Sequence, residues 1–286
     1  MKRSAVLVVS SVLLLAGCAD RPADPAAGGT TTPTASAGER YAVSATVLES
    51  PDHGPQLCSS VLESYPPQCG GPDVAGFDWA DVDDEVSANG TTWGAYRVVG
   101  TWDGERLMLT EPPGPDRDGD GPPAPDADFS TPCPTPAGGW RIVDPATATA
   151  AAQQSAIEHA NAQPELGALW FDAGAELADD LPGLPEPAVL DVAFTGDLAG
   201  QERQLRALYG GPLCVTQVER SQAELQQLQQ DVHAALGTDA LGSDADGRRG
   251  VVNVMVTVVD DDVRSRVTEV DPDELVELHG WLRPAD

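Results

Sequence analysis

The chain has 286 residues with 46 acidic and 16 basic side chains, a formal charge of −30, and is long enough for one large domain or two of roughly 100–200 residues. That charge balance excludes a nucleic-acid binder that works by phosphate neutralisation, which needs Lys and Arg to release counterions. Lys2 is the only lysine, so Schiff-base, Ser–Lys and phosphate-loop chemistry have no residue downstream of it, while 41% hydrophobic residues argue against global disorder.

Lys2 and Arg3 precede an apolar run from Ala5 to Leu15, broken only by Ser10 and Ser11. About eleven apolar residues fall short of the roughly 20 that span a bilayer and fit the apolar core of an export signal over residues 1–17. The run closes on Leu15-Ala16-Gly17-Cys18. Small residues there let a peptidase bind the extended backbone, and the Cys18 thiol can accept a diacylglycerol. This motif resembles the lipobox of bacterial lipoproteins. The resemblance implies cleavage before Cys18, lipidation of its sulfur and new amino group, and anchoring at the outer face of the cytoplasmic membrane. Loss of Lys2 and Arg3 would take the charge from −30 to −32. The competing readings are an ordinary secretory signal with an incidental cysteine, or a short transmembrane anchor.

Residues 18–40, mostly Ala, Gly, Thr, Pro and Ser, read as a flexible tether. Residues 41–110 read as all-β, with strands at Val43–Leu48, Val74–Trp79, Trp93–Thr101 and Arg106–Thr110. Asn89-Gly90 and Asp103-Gly104 mark turns, because these residues tolerate positive φ; the Asn89-Gly90-Thr91 sequon is more simply such a turn. Short strands in seventy residues suggest a small, OB-like β-barrel, in which Trp79, Trp93 and Trp102 fill the interior more readily than they line a ligand face. The stretches Pro66-Pro67-Gln68-Cys69-Gly70-Gly71 and Trp93-Gly94-Ala95-Tyr96 resemble a domain of exported actinobacterial proteins. That resemblance covers about a quarter of the chain and implies no activity.

Residues 111–139 form a Pro/Gly/Asp linker. Within it Asp116-Arg117-Asp118-Gly119-Asp120-Gly121 matches the opening of an EF-hand-type calcium loop, with Asp116, Asp118 and Asp120 at ligand positions 1, 3 and 5. Position 12, normally a bidentate Glu, is Ala127, and Pro122, Pro123 and Pro125 oppose a following helix, so a solvated acidic linker is the plainer reading. Ser243-Asp244-Ala245-Asp246-Gly247 is a weaker match and reads as a loop.

Residues 140–286 alternate helix and strand: helix Pro145–Ala162, strands Gly167–Asp172 and Ala188–Thr195, helix Leu198–Leu208 and strand Leu213–Val218. Helix Ser221–Leu236, strand Val251–Val259, a short helix Asp262–Val270 and strand Leu275–Leu282 follow. Ser221 and Glu224 form a capping box ahead of the apolar stripe Leu225, Leu228, Val232 and Leu236. Leu190, Val192 and Phe194 oppose Asp191 and Thr195, and Val252, Val254, Val256 and Val258 oppose Asn253 and Thr257. A parallel sheet covered on both sides would be apolar on both faces. The fold class is therefore α+β, a small barrel followed by a two-layer α+β sandwich with one partly wet sheet face. Helix–Gly–strand recurs near Leu169 and Val254, a hint of duplication. Ser221-Gln222-Ala223-Glu224-Leu225 and the Val251–Val259 strand resemble propeptides of alpha-lytic-protease-type and streptogrisin-type proteases over about forty residues. With no protease domain after them, they imply at most an α+β interaction module.

Setting Cys18 aside leaves Cys58, Cys69, Cys133 and Cys214. An even number on an exported chain favours disulfides; of three pairings, Cys58–Cys69 and Cys133–Cys214 is preferred, and zinc is disfavoured because no C-x-x-C pair exists. His53, His159, His233 and His279 stand at no metal-pair spacing. His279 shares a strand face with Glu277 and Trp281. No HExxH or G-x-S-x-G occurs, and among 46 acids a carboxylate near a histidine carries no specificity. The expectation is a membrane-tethered lipoprotein that is not an enzyme, has no cofactor and binds an unknown cell-envelope protein or ligand. An exported hydrolase with an unrecognised site and a calcium-dependent binder are the alternatives.

Overall fold

The computed structural model describes residues 38–117, 128–175 and 188–285; the leader, Cys18 and most of the tether lie outside them. Seven strands come first: β1 (Arg40–Ser50), β2 (His53–Cys58), β3 (Asp73–Ala75), β4 (Val86–Ala88), β5 (Thr91–Trp102), β6 (Arg106–Leu109) and β7 (Gly114–Pro115). β1 is antiparallel to both β2 and β5, β3 joins β2, and β6 runs parallel to β3 and antiparallel to β5. The pairings thus make a cycle, β1-β2-β3-β6-β5-β1. Side-chain alternation sends Val43, Val47, Leu57, Val74, Tyr96, Val98 and Leu107 into one core.

The expected Val74–Trp79 strand stops at Ala75 because Gly76 turns to φ +84, and Trp79–Asp81 becomes a 3-10 turn capped by Asp78. Asn89 and Gly90 do take positive φ, 51° and 84°, between β4 and β5. Asp103-Gly104 joins β5 to β6, where the Arg106 guanidinium and the Arg106 and Glu105 amides hold the Asp103 carboxyl down to about 2.

The remaining elements spell one unit twice. α1 (Ala150–Asn161), β8 (Leu166–Asp172), β9 (Val189–Phe194), α2 (Leu198–Leu208) and β10 (Leu213–Gln217) form the first. α3 (Gln222–Leu236), β11 (Ala240–Asp246), β12 (Val251–Val256), α4 (Asp261–Val270) and β13 (Val276–Gly280) form the second. In each, an antiparallel hairpin is extended by a parallel third strand. The register shift recurs as well: Leu166 faces Phe194 and then Ala168 faces Ala193; Ala240 faces Val256 and then Gly242 faces Met255. The equivalence suggested by sequence, Leu169 with Val254, is therefore replaced by β8 with β11 and β9 with β12. β11 contains the Ser243-Asp244-Ala245-Asp246 stretch read as a loop. Its small and acidic side chains have little strand preference, and pairing with β12 supplies what they lack.

Helices cover one face of each sheet, giving an α+β fold. Ala156 and Ala160 of α1 and Leu205 of α2 pack on Leu190, Val192 and Phe194. Leu225, Val232 and Leu236 of α3 join Val263 and Val267 of α4 on Val252, Val254 and Val256. Each such buried Val or Leu contributes about 1.5–3 kcal/mol. The Ser221–Glu224 capping box opens α3, and Asp197 and Asp260 cap α2 and α4. The chain then returns to the first sheet. β14 (Arg283–Pro284) pairs with β1, and Val258, Trp281 and Leu282 enter its core.

The partly wet face expected at Asp191 is instead closed. Residues 128–140, the end of the stretch read as linker, lie over it, leaving Asp191 0% and Trp140 6% exposed.

Candidate functional site

The four cysteines stand as two disulfide pairs with the partners favoured from sequence, Cys58–Cys69 and Cys133–Cys214, at Cα separations of 5.6 and 5.9 Å. Cys133 ties the covering segment to β10 beside Asp191, the strand neighbour of Cys214. Thr131 adds two bonds: its amide donates to Asp172 Oδ2 (2.8 Å) and its hydroxyl to Asp191 Oδ1 (2.6 Å). The Arg248 guanidinium lies 4.2 Å from the Phe129 ring centroid and donates to the Asp128 carbonyl. Burial pushes the Asp191 carboxyl up to about 6; the Thr131 bond opposes this and the Asp172 charge adds to it. Asp191 Oδ2 is buried without a hydrogen-bond partner among the described residues. A carboxylate so placed holds a segment down and does not meet solvent. Its position inside an apolar strand was visible in the sequence; Thr131, sixty residues away, was not.

The remaining candidates do not gather into one centre. Asp116 lines a cleft described below, whereas Asp118 and Asp120 lie outside the described residues. Among those residues no group of three or more His, Cys, Asp or Glu could hold a metal ion. His53 Nδ1 is 2.8 Å from its neighbour's carbonyl at Gly54, His233 Nε2 is 2.6 Å from Ser243 Oγ, and His279 Nε2 is 3.4 Å from Asn253 Oδ1. His159 is half-buried in α1, its Nε2 without a hydrogen-bond partner among the described residues. Of the residues expected to share a strand face, Glu277 pairs with Arg249, His279 lies within the strand that ends at Gly280, and Trp281 is buried in the first core.

The three tryptophans also part company. Trp79 and Trp102 pack against the first core as expected. Trp93 does not; it is half-exposed, faces Val86 across the β4–β5 pair, and meets the Tyr65 ring edge-on with centroids 5.8 Å apart. Tyr65 belongs to the loop between β2 and β3, which Cys58–Cys69 closes. Inside that loop the Leu62 amide donates to the Gln68 carbonyl (2.9 Å), the Ser64 amide to the Leu62 carbonyl (2.8 Å), and the Ser64 hydroxyl to the Pro66 carbonyl (2.9 Å). The loop nevertheless leaves Tyr65 75%, Leu62 65% and Val61 41% exposed, and Val86 is 43% exposed beside it. These are four of seven large apolar side chains exposed among the described residues.

Further along β5, Ala95 shares the outward parity of Trp93 and lines a cleft of about 330 Å³ with Asp81, Asp83, Asp84 and Asp116. Tyr96 points inward there and donates to the Asp83 carbonyl (3.2 Å). Burial, then the charges of Glu85, Asp84 and Asp83, raise its phenol above the ordinary value. An apolar platform thus adjoins an acidic cleft. No protein family matches the chain, and no curated protein matches it.

Proposed function

We propose that this chain is an exported lipoprotein, anchored through Cys18 at the outer face of the cytoplasmic membrane, whose β and α+β parts serve as non-enzymatic interaction modules. The observation that carries the reading is the leader, Leu15-Ala16-Gly17-Cys18 after a short apolar run. Two disulfide pairs fit an oxidising, extracytoplasmic compartment. The finer architecture is a small OB-like barrel, supported by the cyclic pairing with its one parallel join, β3 to β6, followed by helices layered on sheets. Large exposed apolar surface at one place is what an interaction module displays. One acyl chain holds a protein marginally and two or more hold it stably, at about 0.8 kcal/mol per buried methylene. In detergent phase partitioning the wild type should enter the detergent phase. Cys18→Ala should appear in the medium or persist as uncleaved precursor, and a wild type found in the aqueous phase contradicts the reading.

A second reading, calcium-dependent binding through Asp116, Asp118 and Asp120, draws on Asp116 lining the acidic cleft. Calorimetric titration tests it: no heat at millimolar calcium removes it.

A further inference from the structure

We infer that the platform of Leu62, Tyr65, Val86 and Trp93, with the acidic cleft beside it, docks a basic polypeptide segment that pairs apolar side chains with Lys or Arg. The inference rests on the interaction-module reading and gives that module a surface and a partner chemistry.

Three observations carry it. First, local order is used to hold apolar groups outward. A disulfide and three internal hydrogen bonds fix the loop, yet Leu62 and Tyr65 remain more than half exposed. A preordered loop loses little conformational freedom when a partner settles on it. Second, three of the apolar groups converge, because Tyr65 contacts Trp93 and Val86 is the cross-strand neighbour of Trp93, while Leu62 lies three residues before Tyr65 in the same loop. An aromatic pair flanked by aliphatic groups is the composition of interface anchors. Third, the charge nearest the rings is acidic. Glu63 lies between Leu62 and Tyr65 in the loop, Asp83-Asp84-Glu85 leads directly into Val86, and all four acids are exposed. Asp83 and Asp84 turn into the cleft that β5 continues from Trp93. An acidic membrane surface would be repelled by this rim, and a second copy of so acidic a chain would bring like charge against like. A cationic segment meets opposite charge at the cleft and apolar contact at the rings. Complementarity of this kind speeds encounter and excludes wrong partners.

The test uses the full chain in zwitterionic nanodiscs, with empty nanodiscs subtracted, and three probes of equal length: alternating Lys/Leu, alternating Glu/Leu and all-Lys peptides. At about 0.15 M salt the Lys/Leu peptide should bind, the Glu/Leu peptide should not, and the all-Lys peptide should bind at least tenfold more weakly. Leu62→Ser/Tyr65→Ser removes side chains that are already exposed, so its circular dichroism should match the wild type while Lys/Leu affinity falls at least tenfold. Asp83→Asn/Asp84→Asn should weaken binding several-fold and flatten its salt dependence. Asp261→Asn/Asp262→Asn, which neutralises as much charge on α4, should leave binding within twofold. Undiminished binding in the loop variant, or equal loss in the α4 variant, overturns the proposal. So does loss, in the loop variant, of binding to peptide-free vesicles or of self-association in sedimentation, because the occupant is then lipid or a second copy. Absence of Lys/Leu binding to the wild type overturns it too. If the peptide binds elsewhere on the chain, this surface fails while the module reading stands. A reproducible turnover abolished by one substitution overturns the module reading itself.

Discussion

Asp191 and Asn253 occupy the same place in the two repeated units, each the third residue of a central strand, opposite Trp170 and Asp244 respectively. The second unit satisfies its amide: Asn253 Nδ2 donates to Asp244 Oδ2 at 2.9 Å. The first buries a carboxylate whose Oδ2 has no hydrogen-bond partner among the described residues. Because burial raises the folded-state value to about 6, the folded chain holds this proton more tightly than the unfolded chain does. The group is neutral in both states below the ordinary carboxylate range, and its cost grows as pH rises through about 6. Asp191→Asn keeps an acceptor for Thr131 and cannot ionise. Each tenfold difference in proton affinity between the folded and unfolded chain is worth about 1.4 kcal/mol. At pH 8 the substitution should therefore stabilise the fold by up to ~3 kcal/mol, with the gain shrinking towards pH 4. Denaturant unfolding at the two pH values measures this, and an equal effect at both contradicts it. Gly247 offers a steric counterpart. A Cβ there would lie 1.8 Å from the Gly167 carbonyl oxygen, whereas one at Gly242 meets nothing within 4 Å. Gly247→Ala should cost about 1–3 kcal/mol, as overpacking does, and Gly242→Ala much less; equal thermal shifts would show that the two units do not approach closely there.

Among the elements, those with regular periodicity were legible. Leu198–Leu208 matches α2 from end to end, and the Ser221–Glu224 cap marks the start of α3 because it is a local, reciprocal hydrogen-bond pattern. Elements held by partners were not. β2 is absent from the expected strands, His53 reading as a loop residue, and it forms through its pairing with β1. β11 depends in the same way on β12. The covering segment looked like a linker because Pro and Gly carry no periodicity; a disulfide and the Thr131 bonds give it its place. The two disulfides divide accordingly. Cys133–Cys214 spans 81 residues and Cys58–Cys69 spans 11, so the chain-entropy model assigns ~4.5 and ~3 kcal/mol. Cys133→Ser/Cys214→Ser should lower global stability by the larger amount and speed amide exchange over 128–140. Cys58→Ser/Cys69→Ser should act mainly on the loop that carries Leu62 and Tyr65. Indistinguishable exchange maps for the two variants would contradict this division.

For the whole molecule, charge dominates. A net −30 repels itself in the compact state, and salt shortens the reach of that repulsion from about 30 Å at 0.01 M to about 8 Å at 0.15 M. The melting temperature should therefore rise across that range; a fall would mean that ion pairs such as Arg266–Asp239 and Arg249–Glu277 outweigh the repulsion. Of the candidate site, the sequence showed the cysteines and Asp116 but not the platform, because Tyr65 and Trp93 lie 28 residues apart and meet only when β5 returns beside the loop. The proposed role joins that platform to a membrane through one residue. Mass spectrometry of the N-terminal peptide from protein purified out of membranes tests this most directly. The account predicts a chain that begins at Cys18 and carries the mass of a diacylglycerol; an N-terminus with no fatty-acid mass contradicts it.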